Sequence, residues 1–404
     1  MICLLDLSNE ILLIILEVLY SKHKNYVLAL RKVCKRFALL GERLAFRRIE
    51  FTLSPKDFYT LRDLSRSYLR NNVKEIVFAF DDYNAEVSTD LTAFVSWFRL
   101  RTIPLRDQLE MFERYCSFKK TSILLQQNNK GFESLAETIR QFTNLQSVKM
   151  VQDWSSDWYQ KLDGEEFNEL ALSPTGVRLF EVVVYALASP TLNVKELILG
   201  EIFQGSPPLL GIIQSLRPLT TSNYDKAFSC LEKLDVKLSW VESCFTPLNY
   251  EGLSSLIQAA PLCELRLVAS PFAPTPPDAF LVVLGASPLR VLELEGVRFK
   301  DPSSFLRLLH GLRPTLKDVR FHNLGIDHGS WETVLIEMRS AFELKSCTMG
   351  MLLWKGNTIE LGMCFGEKGI PRNAVDEFVQ RQSDLNPFDL IRASDSHLNS
   401  SVQF

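Results

Sequence analysis

The chain has 404 residues, of which 46% are hydrophobic and 23% charged, and this composition excludes a disordered or collagen-like protein. A formal net charge of −3 argues against a general nucleic-acid binder, since such proteins usually carry an excess of Lys and Arg. The length allows about two to four compact domains, or one small domain followed by a long repetitive one.

Residues 1–50 are predicted to form a domain of three short helices. The first helix covers 8–20, begins with Ser8 as a cap and is apolar on nearly every side, so something besides its own small domain should cover it. A second helix is predicted over 25–39 and a short third helix over 42–46. The inner stripe of the second helix consists of Val27, Leu30, Val33, Cys34 and Phe37.

Four short motifs follow one another in residues 3–49. They are Leu7-Ser8-Asn9-Glu10-Ile11, Ile14-Ile15-Leu16, Val33-Cys34-Lys35-Arg36-Phe37 and Leu44-Ala45-Phe46-Arg47. In this order and spacing they resemble the F-box, with its L-P-x-E-I, hydrophobic helix, V-C-[KR]-x-[FW] and closing apolar-Arg step, except that Ser8 replaces the family's proline. The resemblance implies a Skp-type adaptor, and through it a cullin, as partners. It implies adaptor contacts by Leu7, Ser8, Ile11, Ile14, Ile15, Leu16, Val33 and Phe37.

The same segment is strongly basic. Residues 21–48 contain nine Lys or Arg and one acidic residue, which gives them a charge of +8 and leaves −11 for the rest of the chain. Three interpretations stay open: contact with an acidic adaptor, as the resemblance implies, contact with nucleic acid or another anionic surface, or an ordinary solvated helix face. The second is the least favoured, and we expect neither nucleic acid nor a membrane as a partner.

Past residue 50, a phrase of the form apolar-x-x-apolar-x-apolar occurs seven times. It begins at Val73, Leu145, Val194, Leu231, Leu262, Leu289 and Leu316, and the last starts are 27 residues apart. Helices are predicted between the phrases at 134–142, 177–188, 251–260, 278–285, 302–312 and 330–341. The last two begin at clear caps, Asp301 before Pro302 and Ser330 before an acidic first turn.

A strand followed by a helix in each unit resembles the leucine-rich repeat, in particular that of divergent F-box proteins of filamentous fungi. Phrases such as Leu312-Arg313-Pro314-Thr315-Leu316 and Gly329-Ser330-Trp331-Glu332 carry this resemblance. It implies an α/β fold, with an N-terminal three-helix F-box followed by an irregular solenoid with a curved parallel sheet. The position usually held by Asn or Cys is Ile202, Val297 or Leu324 here, so variable turns are expected.

The chain is therefore predicted to have three parts. They are an F-box domain at 1–50, a leucine-rich-repeat-like solenoid at 51–372, and a C-terminal capping helix with a mobile tail at 373–404. Helical insertions are expected near 84–134 and 151–177. The first of them should contain helices at Thr92–Arg99 and Leu105–Tyr115.

Strand residues at the third, fifth and seventh places of each phrase should point away from the core. In the regular repeats these residues carry both signs of charge, which suits a polypeptide partner better than a phosphate backbone. The candidate target-binding residues are Lys233, Asp235, Lys237, Glu264, Arg266, Glu293, Glu295, Asp318, Arg320 and His322, with Trp240 as an aromatic anchor. The alternative for any single one is an ordinary solvated strand position.

No sequence pattern of an active site is present. The eight cysteines are spread singly, without the spacing of a zinc site, so we expect reduced thiols, no metal and no cofactor. A hydrolase built on Asp327, His328 and Ser330 is disfavoured, because neighbouring residues in a turn rarely reach triad geometry. A helix cap explains these residues better. We expect a protein that is not an enzyme.

These features favour the substrate-recognition subunit of an SCF-type cullin ubiquitin ligase. The F-box would bind the adaptor and the repeat face would bind an unknown target protein, bringing it close to a reaction catalysed elsewhere. The alternative is a scaffold or interaction module that uses the F-box as a cap for the solenoid. The apolar N-terminus lacks a basic lead segment and no apolar run reaches the roughly 18 residues of a membrane span, which favours the cytoplasm or the nucleus.

Overall fold

The computed structural model describes residues 4–52, 55–80, 90–97, 104–113, 116, 129–152, 174–200, 225–238, 248–269, 275–354, 357–360, 374–384 and 386–387. The chain divides into two compact units. The first comprises 1–165 and 173–198, and the second comprises 166–172 and 199–404. Each unit contains parallel strands and helices, which confirms the predicted α/β class.

Helices and strands alternate along most of the described chain. The helices are α1 (Asn9–Lys22), α2 (Lys24–Leu30), α3 (Lys35–Leu40), α4 (Glu42–Ala45), α5 (Pro55–Arg66), α6 (Leu91–Trp97), α7 (105–113), α8 (Asn129–Arg140), α9 (Pro174–Leu187), α10 (Leu248–Ala259), α11 (Asp278–Gly285), α12 (Pro302–Leu312), α13 (Trp331–Ala341) and α14 (Ala374–Val379). The strands are β1 (Arg48–Thr52), β2 (Glu75–Phe80), β3 (Ser147–Gln152), β4 (Glu196–Leu199), β5 (Lys233–Leu238), β6 (Glu264–Ala269), β7 (Val291–Glu295), β8 (Arg298–Phe299), β9 (Asp318–His322), β10 (Leu324–Ile326), β11 (Ser346–Met349), β12 (Met351–Trp354) and β13 (Asn357–Glu360).

The N-terminal helices form a small core of their own. This core consists of Leu12, Leu16, Val27, Phe37 and Leu44. The prediction of one helix over 25–39 is wrong, because Cys34 is extended, with φ −157° and ψ 164°, and separates α2 from α3. The break turns Val33 out of the predicted inner stripe, and it is 66% exposed. The short third helix is confirmed as α4.

In the first unit the strands lie in the order β1, β2, β3, β4. The pairs β1–β2 and β2–β3 are parallel, with Phe78 level with Phe51 on one side and Met150 on the other. A recurring hydrogen bond joins each strand to the next. The carbonyl of Lys74, for example, accepts from the N–H groups of Gln146 and Ser147 at 2.8 and 3.0 Å.

In the second unit the strands lie in the order β5, β6, β7, β9, β11, and each adjacent pair is parallel. The seven apolar phrases of the sequence therefore all correspond to strands of parallel sheets, four of them in this unit. Six of the described strands were not predicted: β1, β11 and the short strands β8, β10, β12 and β13.

The core of the second unit is built from matching strand positions. Leu292, Val319 and Cys347 lie level on adjacent strands and are fully or almost fully buried. Helices α10 to α13 supply the opposing side chains. Phe305 on α12 is central, because its ring lies 5.3 Å from Phe321 on β9 and 5.6 Å from Trp331 on α13.

Both predicted helix caps in this unit are confirmed. The Ser304 N–H donates to Asp301 Oδ1 at 2.7 Å, and Pro302 occupies the first turn of α12. The Glu332 N–H donates to Ser330 Oγ at 3.1 Å at the start of α13.

A second, four-stranded sheet follows the ends of the main strands, in the order β13, β12, β10, β8. The chain reaches β8 and β10 through residues in the left-handed region, Gly296 with φ 70° and Asn323 with φ 56°. The next residues, Val297 and Leu324, are buried. These two repeats therefore turn in the same way, and Ile202, the third position named in the expectation of variable turns, lies outside the described residues.

Helices lie within the first predicted insertion and near the C-terminal end, whereas residues 153–173 of the second predicted insertion lie outside the described residues. In the first insertion, α6 and α7 confirm the predicted helices and bury Phe94 and Met111. Helix α14 contacts α13 and β11. Arg339 on α13 holds it by donating to the carbonyl of Phe378 at 2.7 Å and by stacking over that ring at 4.7 Å. The predicted mobile tail at 394–404 lies outside the described residues.

Candidate functional site

Helix α1 exposes an apolar surface. Ile11, Ile14 and Val18 are 45%, 56% and 52% exposed, whereas Leu12 and Leu16 are completely buried in the domain core. Because the exposed residues are three and four positions apart, they lie on one side of the helix. We call Ile11, Ile14 and Val18 the α1 stripe. An apolar row of this kind is typical of a surface that another molecule covers.

The predicted adaptor-binding residues fall into three groups. Those with exposed side chains are Ser8, Ile11, Ile14 and Val33. Those that are partly buried are Leu7 and Ile15. Leu16 and Phe37 belong to the core of the domain itself, so they support the surface without forming it.

The start of α1 is fixed by an arginine of the basic segment. Arg36 donates to the carbonyl of Leu7 at 2.6 Å and to Asn9 Oδ1 at 2.9 Å. Ser8 occupies the cap position, as predicted, but its side chain makes no capping hydrogen bond. Its hydroxyl instead interacts with Glu10 and lowers the pKa of that carboxyl from the ordinary value.

Other basic side chains are also used inside the domain. Lys24 Nζ donates to the carbonyl of Arg48 at 3.0 Å, and the guanidinium of Arg31 lies 5.2 Å from the Phe46 ring. Basic residues on the exposed side include Lys22, Lys32, Lys35, Arg43 and Arg47. The charge of this segment is therefore divided between structural contacts and an exposed basic surface.

The predicted target-binding residues of the second unit lie in three rows across the parallel strands. The first row is Lys233, Glu264, Val291, Asp318 and Ser346, the second is Asp235, Arg266, Glu293, Arg320 and Thr348, and the third is Lys237, Val268, Glu295 and His322. The charged part of the second row, Asp235, Arg266, Glu293 and Arg320, alternates in sign, and we call it the charge ladder. Trp240, the predicted aromatic anchor, lies outside the described residues.

Arg266 is the centre of the charge ladder, because its guanidinium meets three carboxylates. Its Nε lies 2.7 Å from Glu293 Oε1, and its terminal nitrogens lie 3.5 Å from Asp235 Oδ2 and 3.6 Å from Glu295 Oε2. Burial would lower the pKa of Arg266, but the three carboxylates outweigh it and raise the pKa. The charge of Arg266 is therefore compensated within the protein, whereas three carboxylates share this one guanidinium.

Asp235 shows the cost of this arrangement. Burial raises the pKa of its carboxyl above the ordinary value, although the guanidinium of Arg266 opposes the shift. One oxygen, Oδ1, is buried without a hydrogen-bond partner. Arg266 and Lys237 therefore favour the ionised form of Asp235 against the cost of burial.

The outer rows are paired more loosely. Lys233 Nζ lies 3.8 Å from Glu264 Oε2, with both side chains 46% exposed. Ser346 on β11 donates its hydroxyl to Asp318 Oδ1 at 2.7 Å. Arg320 lies 3.4 Å from Glu293 Oε2 and is the most exposed member of the charge ladder, with 56% of its side chain accessible.

The disfavoured hydrolase residues have other partners. Asp327 Oδ1 accepts from Arg298 at 2.5 Å, and Ser330 caps α13.

Within the described ranges, no group of three or more His, Cys, Asp or Glu is placed to hold a metal ion. The described cysteines, Cys34, Cys116, Cys230, Cys263 and Cys347, are free thiols, and Cys347 alone among them is buried. In the same residues no helix is long and apolar enough to cross a membrane.

Sequence reasoning missed the residues that β11 adds to the rows, Ser346 and Thr348. The signal that identifies them is spacing. Val319 follows Leu292 by 27 residues and Cys347 follows Val319 by 28, so β11 continues the regular period. Its apolar residues, Cys347 and Met349, do not match a leucine-rich phrase.

No protein-family model matches the chain, and no curated protein matches it either. The F-box and leucine-rich-repeat assignments are therefore proposals that rest on the motifs and on the geometry of the two units.

Proposed function

We propose that this protein is the substrate-recognition subunit of an SCF-type cullin ubiquitin ligase. The N-terminal helices bind a Skp-type adaptor, and through it a cullin, while the parallel strands of the repeat region bind a target protein. The protein makes and breaks no bonds itself. It raises the effective concentration of the target near the ubiquitin-transfer machinery, in the cytoplasm or the nucleus.

The α1 stripe is the observation that carries this proposal. It lies within the segment whose motifs resemble the F-box, and two of its three residues, Ile11 and Ile14, are among those assigned to the adaptor. Covering a half-exposed Ile or Val contributes roughly 1 kcal/mol per side chain. The stripe is held in place from behind by the buried Leu12 and Leu16, so it is a preformed surface.

Exposed basic residues of the same domain add a second contribution. Lys32 lies in the turn between α2 and α3, and Lys35 is the first residue of α3, so both are close in sequence to the exposed Val33. Opposite charges on a partner would speed association more than they would increase its final affinity. An acidic adaptor is therefore the partner that suits the combination of an apolar stripe and basic neighbours.

The proposal is tested by co-purification of the tagged full chain carrying Ile14→Asp. A carboxylate in the α1 stripe should reduce recovery of the adaptor and the cullin at least tenfold, because it would have to be buried without a partner. Val282→Asp on α11 is the matched control, since Val282 is 58% exposed, close to the 56% of Ile14, but lies in the second unit. Its recovery of the adaptor should equal that of the unchanged protein.

Absence of the adaptor from the unchanged protein, or equal recovery with Ile14→Asp, would contradict the ligase proposal and support the scaffold alternative. A point substitution is preferable to deletion of residues 1–49. Arg48 and Ile49 belong to β1, and their removal would damage the first sheet as well as the helical domain.

A further inference from the structure

Three basic residues occupy equivalent positions at the beginning of neighbouring strands of the second unit. Arg290, Lys317 and Lys345 directly precede β7, β9 and β11, respectively. Backbone hydrogen bonds place them side by side, because the Lys317 N–H donates to the Arg290 carbonyl at 2.9 Å and the Lys345 N–H donates to the Lys317 carbonyl at 2.7 Å. Neighbouring strands lie about 4.8 Å apart, so the outer two backbones are about 10 Å apart. We call these three residues the basic edge.

The basic edge is accessible and its charges are unpaired. Arg290 and Lys345 are exposed, and Lys317 is half-buried. Within the part of the chain that the structure describes, none of the three has a carboxylate oxygen within 4 Å of its charged nitrogens. The arginines of the charge ladder differ in this respect, because Arg266 and Arg320 both form ion pairs with carboxylates on neighbouring strands.

The charges around the basic edge also have a positive sum. Arg313, in the turn after α12, is exposed and adds a fourth cation. Two acidic residues, Asp318 and Glu343, lie within two positions of the basic edge in sequence. On the neighbouring strand β6, Glu264 is paired with Lys233 at 3.8 Å. Four basic residues against two acidic ones therefore give +2 at this end of the strands.

The positive charge is confined to one end of the row. The equivalent residues before β6 and β5 are Cys263 and Glu232, so no cation continues the row in that direction. A basic surface only about 10 Å wide is short for duplex nucleic acid, which favours a longer basic stripe. The net charge of −3 for the whole chain argues in the same direction. A short acidic segment of polypeptide matches this width.

We propose that the basic edge binds a short acidic segment of a partner protein. Consecutive residues of an extended segment advance about 3.3 Å, so four consecutive Asp or Glu residues span the same distance of about 10 Å as three strands. The flexible lysine stems and the forked guanidinium can reach carboxylates on either side of such a segment. The basic edge lies outside the α1 stripe and outside the three strand rows, so this inference goes beyond the proposed function.

The test measures binding of fluorescein-labelled peptides to the purified full chain by fluorescence anisotropy. A peptide with four consecutive Glu residues should bind, and the same peptide with Gln in their places should bind at least tenfold more weakly. Lys317→Glu should weaken binding of the Glu peptide at least tenfold, because the central cation is replaced by a repelling carboxylate. Lys345→Glu, at an exposed position, should weaken it in the same way, so the result does not depend on the folding of one variant.

Lys300→Glu is the matched control, because it makes the same change of net charge at an exposed lysine that directly follows β8 in the second sheet. It should leave peptide binding unchanged. The inference is overturned if the Glu peptide does not bind, if the Gln peptide binds equally well, or if a single-stranded oligonucleotide of equal charge binds more tightly than the Glu peptide. It is also overturned if Lys317→Glu and Lys345→Glu have no larger effect than Lys300→Glu. These measurements do not involve the adaptor, so a failed adaptor co-purification would reject only the ligase proposal.

Discussion

Strand β2 of the first unit and strand β6 of the second unit use the same strand position in opposite ways. The recurring carbonyl hydrogen bonds make Val77 on β2 the equivalent of Arg266 on β6. In the first unit, Val77 is 2% exposed and its strand neighbours Ile76 and Phe78 are fully buried, so β2 is covered on both faces. In the second unit, β6 alternates between buried and half-buried residues, and the outward position carries the centre of the charge ladder.

This difference shows what each sheet face is suited for. A strand covered on both faces is part of the protein interior, whereas a strand covered on one face presents a surface to other molecules. The sequences agree with this division, because Ile76 to Phe80 is a continuous apolar run and Leu292 to Glu295 alternates between apolar and charged residues. Target recognition is therefore proposed for the second unit, where the outward residues are polar and accessible.

The largest loss of stability is expected from Val77→Lys, which places a charge at the strand position that is buried in β2 but half-buried in β6. An uncompensated buried ammonium should cost roughly 3–5 kcal/mol of unfolding free energy. Hydrogen exchange of the β2 amides, measured together with urea unfolding, would show the loss. Val268→Lys is the matched change, because Val268 is an outward valine of β6 that is only half-buried. It should change stability by less than about 1 kcal/mol. Equal effects of the two substitutions would remove the distinction between the units.

A smaller loss of stability is expected from Arg266→Val, which removes the central residue of the charge ladder. Valine is the residue at the equivalent position in β2. Loss of the three ion pairs should cost about 1–2 kcal/mol at pH 7. The carboxyl pKa of Asp235 is already raised in the folded protein and should rise further in this variant.

The pH dependence of the Arg266→Val variant gives a sharper result. A carboxyl whose folded pKa is raised favours folding at low pH, and this contribution is lost as the pH rises through the folded pKa. The stability difference between the variant and the unchanged protein should therefore shrink as the pH falls from about 7 to about 4. Urea unfolding at several pH values measures this stability difference. A difference that grows as the pH falls would contradict the stabilisation of the Asp235 carboxylate by Arg266.

The smallest loss of stability is expected from substitutions at the helix caps, compared between α12 in the second unit and α1 in the first. Asp301→Ala removes the capping hydrogen bond of α12 and should cost about 1 kcal/mol, whereas Ser8→Ala removes no such bond from α1 and should cost a few tenths at most. The backbone N–H of Ser304 lowers the pKa of Asp301. Its stabilisation is therefore full above about pH 4 and is lost as the pH falls through the folded pKa, so the cost of Asp301→Ala should disappear in acid. Thermal unfolding at pH 7 and pH 3 checks both points.

Local patterns accounted for much of the fold. The seven apolar phrases predicted seven parallel strands, and Asp301 and Ser330 predicted two helix starts, because alternation and capping depend on residues that are close in sequence. The same reasoning failed at 25–39, where the spacing of Val27, Val33 and Phe37 fits one helix but Cys34 is extended. Only packing of Phe37 against Leu12 and Leu16 distinguishes the two possibilities.

The sequence by itself determined that this protein has parallel strands alternating with helices, that one strand face carries mixed charge, and that an apolar helix opens a basic N-terminal segment. The tertiary structure alone decided which of those charges compensate one another and which remain available. Arg266 and Glu293 are 27 residues apart, as are Glu293 and Arg320, so their pairing depends on strand register. It also decided that Leu12 and Leu16 fill the helical core while Ile11, Ile14 and Val18 face outward, because an all-apolar helix can be placed in several orientations until its neighbours pack against one side.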